Sequence, residues 1–380
     1  MASSNLLIVS LLVLTTYVVG GKALSKEEDL ELEKQLNSLN KPPVKTIQEE
    51  NGDLFDCIGI NKQPAFDHPL LKDHKIQLRP SWYPKPLVDV TTSTKLQSTT
   101  MVKGTTFWCP KGTVPIRRTQ KEDLIRAKSF LETFPAFPTT TIQPNTPGTP
   151  RSYQAAIFTN YTTKGYFGVG AYINIHNPKV GPQQWSSSQI YIASDFQTTY
   201  DFDALSAGWA ANRTFCYNLL CNGFVQINHE LPIGHPFSNI SVYDGAQFDL
   251  PLYIGKDPKT GNWWLVNTYH NFNYGYWPKE LFPSLMVPAP FLAWGGYTKT
   301  GDNETSPPMG SGYFEYSGNH TSYFRALIAA NVNYEITLPY SKFEMVTDGT
   351  PCYIVGAVQF DFKEDIHYNF VYGGPGGKCG

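Results

Sequence analysis

Residues 167–176 read Phe-Gly-Val-Gly-Ala-Tyr-Ile-Asn-Ile-His. Phe167, Val169, Ala171, Ile173 and Ile175 alternate with Gly168, Gly170, Asn174 and His176. An apolar period of two with β-branched residues is the pattern of a half-buried strand. Working outward, strand-like runs recur at 248–254, 263–269, 323–328 and 368–372. Gly- and Pro-rich turns separate them and no helical period intervenes, so residues 151–380 are expected to form an antiparallel two-sheet β-sandwich, jelly-roll-like and mainly β. Pro251 cannot donate to a ladder, which assigns its run to an edge or a broken strand.

Upstream the pattern is mixed. Ser25 and Glu28 make a capping box for a helix carrying Leu32, Leu36 and Leu39, stopped by Pro42 and Pro43. A second box, Thr119 with Glu122, opens a helix through Leu124, Ala127 and Leu131. Residues 51–86 are rich in turns. Residues 138–150 are dominated by Thr and Pro, a linker composition with little to bury. The expected organisation is therefore an export signal at 1–21, a smaller mixed domain at 22–137, a linker at 138–150 and the sandwich at 151–380.

Composition excludes several classes of function. The 380 residues carry a net charge of -2, which argues against a phosphate-binding surface and hence against nucleic acid. Residues 6–19 are apolar and followed by Gly20, Gly21 and Ala23, the pattern of a cleaved signal peptide. The run is short for a membrane anchor, and no later segment reads as a span. Sequons at Asn160, Asn212, Asn239, Asn303 and Asn319 fit the same extracellular (apoplastic) or secretory destination. Six cysteines permit fifteen connectivities; the local scheme pairs Cys57 with Cys109, Cys216 with Cys221 and Cys352 with Cys379. No second Cys or His pair completes a zinc set around Cys216 and Cys221, so no metal or other cofactor is expected.

Familiar catalytic signatures do not occur. There is no G-x-S-x-G elbow, H-E-x-x-H helix or Walker loop. The Gly-rich run 373–377 precedes Lys378 with no helix to follow, and reads as a loop.

Longer stretches resemble a known family. FDCIGINKQPAFDHPLLKDHKIQLRPS from Phe55 and CPKGTVPIRRTQKEDLIRA from Cys109 are similar to the activation-peptide domain of the plant neprosin family. INIHNPKV, CYNLLCNGF, KDPKTGNWW, GYWPKELF, MGSGYF and YGGPG resemble its catalytic domain. The resemblance implies an autoinhibitory N-terminal region, a catalytic β-sandwich of glutamic-peptidase type and proline-directed cleavage under acid by two glutamates. One glutamate belongs to a stretch like Ile-Glu-Ala-Gly-Trp and the other to Glu-Trp-Gly-Gly. Here these stretches read Leu205-Ser206-Ala207-Gly208-Trp209 and Leu292-Ala293-Trp294-Gly295-Gly296. Ser206 and Ala293 therefore stand where the family's glutamates are expected.

The replacement bears directly on chemistry. Carboxyl-based hydrolysis needs one group to take a proton from water and another to protonate the leaving amine. Each such role is worth roughly 10²–10⁴-fold in rate. Ala293 has no proton to exchange, and Ser206 has no neighbouring base to activate its hydroxyl. Asp201 and Asp203 have the wrong strand parity to substitute. Six residues separate Trp209 from Cys216, fewer than the resemblance implies. The sequence thus points to a non-catalytic homologue. Trp209, Tyr217, Trp294, Tyr276 and Trp277, with Trp263 and Trp264, are candidates for an aromatic groove that holds a Pro-rich extracellular or cell-wall peptide; core packing is the competing use of the same side chains. An active acid endopeptidase using Asp201, Asp203 or Glu230, and a carbohydrate-binding sandwich, are the alternatives.

Overall fold

The structure is a computed structural model that describes residues 25–84, 109–125, 151–195, 203–211, 223–268, 272–301, 304–315, 319–337, 339, 342–360 and 368–379, with the backbone of two short strands, β1 (Val18–Val19) and β2 (Lys22–Ala23). Residues 1–17 and 20–21 of the expected signal segment, Ala127 and Leu131 of the second expected helix, the linker 138–150, Asp201, Asn212, Asn303 and the Cys216–Tyr217–Cys221 stretch lie outside the described residues.

The described part of the N-terminal region includes a first helix, a helical start at residue 121 and a small three-stranded sheet. Helix α1 (Lys26–Leu39) starts at the expected capping box: Glu28 N donates to Ser25 Oγ at 3.1 Å and Ser25 N to Glu28 Oε2 at 2.9 Å. Its stripe buries Leu39 and half-buries Leu32 and Leu36. Strands β3 (Lys45–Gln48), β4 (Leu54–Gly59) and β5 (Thr113–Arg117) pair antiparallel in that order. Asp56, almost fully buried, accepts two guanidinium bonds from Arg118 at 2.7 and 2.6 Å. Arg117 joins Asp53 and Asp123. The Phe55-Asp56-Cys57 and Arg117-Arg118 motifs are therefore each other's partners, since a buried charge must be paired. The second helix starts one residue later than its sequence suggests, with half of a capping box. Gln120 N donates to Asp123 Oδ2, whereas Thr119 N donates to Asn40 Oδ1.

Two antiparallel sheets form the sandwich. The five-stranded sheet runs β17 (Phe343–Thr347), β6 (Ser152–Thr159), β14 (Phe291–Lys299), β8 (Trp185–Ala193), β9 (Ala204–Ala210). The ten-stranded sheet runs β10 (Val225–Gln226), β13 (Phe272–Trp277), β12 (Trp263–Asn267), β11 (Asp249–Lys256), β7 (Gly168–Asn174), β15 (Ser322–Ala330), β20 (Tyr368–Gly373), β18 (Ile354–Val355). Strands β16 (Ile336–Thr337) and β19 (Gln359–Phe360) pair with β15 and β20. The alternation at 167–176 is realised in β7: Val169, Ala171 and Ile173 face the core between the sheets. Two indoles tie the sheets together across that core. Trp209 Nε1 donates to Asn174 O at 2.8 Å and Trp294 Nε1 to Gly170 O at 3.1 Å.

The Pro251 strand is an interior strand, not an edge: β11 pairs with β7 on one side and β12 on the other. Pro251 O accepts from Thr268 N, so its ring nitrogen faces the same side, just past the last β12 pair at Leu252–Asn267. The missing donor costs only the reciprocal bond to Thr268 at the frayed end of the β11–β12 ladder and leaves the β7 side intact. Disulfides Cys57–Cys109 and Cys352–Cys379 are formed as expected. Among the described residues, no helix is long and apolar enough to cross a membrane.

Candidate functional site on the five-stranded sheet

Ser206 and Ala293 come from distant parts of the chain, yet both sit opposite one residue. Tyr191 on β8 pairs with Ser206 on β9 and with Ala293 on β14. Continuing across the sheet, Ala293 pairs with Phe158, and Phe158 with Glu344. Residues in register on neighbouring strands project to the same side. The row Glu344–Phe158–Ala293–Tyr191–Ser206 therefore lies on one face, and it is the face turned away from the sandwich core. Two glutamates at positions 206 and 293 would stand side by side over Tyr191, about 10 Å apart at Cα for two strand spacings.

The next row has small residues at its middle: Val346–Ala156–Gly295–Gln189–Gly208. A Cβ on Gly208 would lie 1.9 Å from Ser188 O, and one on Gly295 would lie 2.2 Å from Ala156 Cβ. Both glycines are demanded by packing. The surface opens toward the β9 edge, where Gly208 is exposed and Ser206 and Gln189 are half-buried. Gln189 Nε2 donates to Ser187 Oγ at 2.9 Å. Aromatics flank these rows. Phe158, Tyr191 and Tyr297 are each 5% exposed, and Tyr191 meets Tyr297 edge-to-face at 5.3 Å. Sequence reasoning did not single out these rings; the parity of β14, which puts 291, 293, 295 and 297 on one face, is the signal that points to them.

Of the aromatic residues expected to line a groove, Tyr217 lies outside the described residues and the others are elsewhere. Trp209, Trp294, Tyr276 and Trp277 are all buried, as are Trp263 and Trp264. Trp209, Trp294 and Trp277 belong to the core between the sheets, with Trp277 edge-to-face on Phe224 at 4.9 Å. Tyr276 is on the far side of the ten-stranded sheet, where burial raises its phenol pKa to about 12. Large aromatic surface is worth most when removed from water, and the indoles of Trp209 and Trp294 find backbone acceptors inside.

Asp203 stands just before β9, and its Oδ2 accepts Ser284 N at 2.7 Å, which commits it to a backbone contact. Glu230 is exposed beside His229 in a loop after β10. Glu344 shares the row of Ala293 but stands two strands away, and it is exposed. Asp348 follows β17; desolvation holds its carboxyl above the ordinary range, against the opposing pull of a hydrogen bond with Gln154. Among the described residues, no group of three or more His, Cys, Asp or Glu is placed to hold a metal ion.

The N-terminal region docks on the other sheet. Gln77 is its main latch. Its Oε1 accepts Thr260 Oγ1 at 2.8 Å, Asn262 Nδ2 at 2.9 Å and Trp264 Nε1 at 3.3 Å, and its backbone N donates to Tyr276 OH at 3.0 Å. Asp257, in turn, accepts Ser81 N, Ser81 Oγ and Gln77 Nε2. Gln63 and Gln226 exchange two bonds at 2.9 and 2.8 Å. Trp82 lies against Tyr253 and Tyr334. The 77–81 and 256–264 motifs are thus halves of one interface, on the side of the sandwich opposite Ser206 and Ala293.

Comparison with known families gives two matches. Residues 46–156 match the family model described as Neprosin activation peptide, and residues 210–375 match the one described as Neprosin. Ala293 lies inside the second match and Ser206 four residues before it.

Proposed function

This chain belongs to the neprosin family, a peptidase family, and from that premise we propose that it is a secreted, non-catalytic member that binds extended Pro-rich peptide without cutting it. The observation that carries the reading is the row over Tyr191. Its two family glutamate positions hold a hydroxyl and a methyl, and its one acid, Glu344, is two strands from Ala293. Without a facing pair, no group takes the proton of water while another delivers one to the leaving amine. What remains is an open floor of Ser206, Gly208 and Gln189, able to lie along a peptide and offer it amide and hydroxyl bonds.

Purified protein incubated with a Pro-containing peptide at acidic pH should bind it without turnover, and Ser206→Trp, which fills the floor from the same edge strand, should weaken the binding. Turnover that vanishes on mutation of groups on this face overturns the reading. A second reading has one specific support: Glu344 and Asp348 both belong to the β17 side of the sheet, and the carboxyl of Asp348 keeps its proton more readily than usual. An active peptidase using these acids would lose its activity in Glu344→Gln or Asp348→Asn.

A further inference from the structure

A second surface, away from both the row and the N-terminal interface, carries a feature that neither explains. The turn at 242–245 is bonded to the turn that leads into β15. Asp244 N donates to Asn319 O at 3.1 Å, and Gln247 Nε2 reaches the same carbonyl at 3.4 Å. Tyr243 lies flat on His320, with ring centroids 4.3 Å apart and planes 11° apart, and Tyr313 approaches to 4.4 Å. A polar frame fixes the rings. Tyr243 OH donates to Glu315 Oε1 at 3.0 Å, Glu315 Oε2 pairs with His320 Nδ1 at 2.7 Å, and His320 Nε2 faces Asp244 at 3.4 Å.

The frame holds the rings without covering them. Tyr243 remains 42% exposed, Tyr313 49% and Val242 55%. A pre-ordered, partly apolar shelf has already lost its side-chain freedom, so a ligand laid on it incurs little further ordering cost. The residue beside the stacked His320 is Asn319, itself exposed, and Asn319-His320-Thr321 is a sequon. A second sequon, Asn239-Ile240-Ser241, enters the Tyr243 turn from its other end.

We propose that Asn319 carries an N-linked glycan whose first N-acetylglucosamine units lie on the Tyr243–Tyr313 shelf. In its formation Asn319 Nδ2 bonds to the anomeric carbon of a lipid-linked oligosaccharide pyrophosphate; the lipid pyrophosphate leaves and Nδ2 gives up a proton. The C–H face of the sugar covers the rings, while its hydroxyl and acetamido groups meet Glu315 and Asp244 at the rim. The shelf so covered ties the 242–245 turn to the start of β15.

Protein secreted from a eukaryotic host tests this in two steps. Peptide mass spectrometry should find a glycan at Asn319. Enzymatic removal of that glycan from the native protein should then lower the unfolding midpoint by several degrees in the parent, and hardly at all in Tyr243→Ala/Tyr313→Ala. The glycan should also be released several-fold faster from that variant. Tyr313→Ala alone leaves the Glu315–His320 pair in place and serves if the double variant misfolds. An unmodified Asn319, or the same loss of midpoint in parent and variants, overturns the proposal.

Discussion

Gly208 and Gly295 stand on either side of Gln189, and neither has room for a Cβ: the first meets the Ser188 carbonyl and the second Ala156. Gly208→Ala and Gly295→Ala should each destabilise the protein by about 1–3 kcal/mol, the usual cost of overpacking, read as a lowered denaturation midpoint at unchanged slope. Trp294→Phe removes the indole bond to Gly170 O across the core, so it should cost about 1–3 kcal/mol and leave peptide binding on the outer face intact. These residues also show what the sequence could convey. Positions 206 and 293, read from Ala-Gly-Trp and Trp-Gly-Gly, both land opposite Tyr191. The use of the tryptophans was not legible, because burial is decided by the second sheet, which local sequence does not describe. Restoring both carboxyls is the converse experiment. Ser206→Glu with Ala293→Glu should confer acid-dependent cleavage of a Pro-containing peptide where the parent has none, and neither single change should suffice.

At the level of elements, strand order along the chain was legible from period-two alternation, and α1 from its capping box. Misreadings came where one element's fate depends on a neighbour's length. Pro251 reads as an edge residue until β12 is seen to end beside it. The helix start at 121 shifts by one because Asn40, at the end of α1, has taken Thr119 N. Three histidines give these elements a pH dependence. His176, at the end of β7, is held neutral by burial, with its pKa lowered to about 4. Burial also lowers the pKa of His74, against the opposing pull of Glu280, and of His235, against Glu49 and Asp53. A histidine whose folded pKa lies below its unfolded value near 6.5 contributes stability that is fully present above that value and is lost as pH falls toward the folded one. Thermal midpoints should therefore decline from pH 7 toward pH 4. His74→Gln, which keeps a hydrogen-bonding partner for Tyr276 OH without a titrating ring, should flatten the upper part of that decline.

For the whole molecule, the N-terminal region is bound to the ten-stranded sheet by side chains rather than by covalent links, since Cys57 bonds Cys109 and Cys352 bonds Cys379. Trp264, Tyr276 and Val266 are buried beneath it with Ala65. If a protease site is introduced within 138–150 and cut, the two pieces should still co-elute on size exclusion at neutral pH, and Gln77→Ala/Asp257→Ala should let them separate. This partnership was half legible: both motifs stood out as family signatures, but their pairing needs three dimensions. The placement on opposite sides has a practical corollary. A sensor chip or bead coupled through α1 would hold the molecule by its back and leave the Ser206 side turned to the flowing analyte, so tethering chemistry and ligand capture need not compete for the same surface.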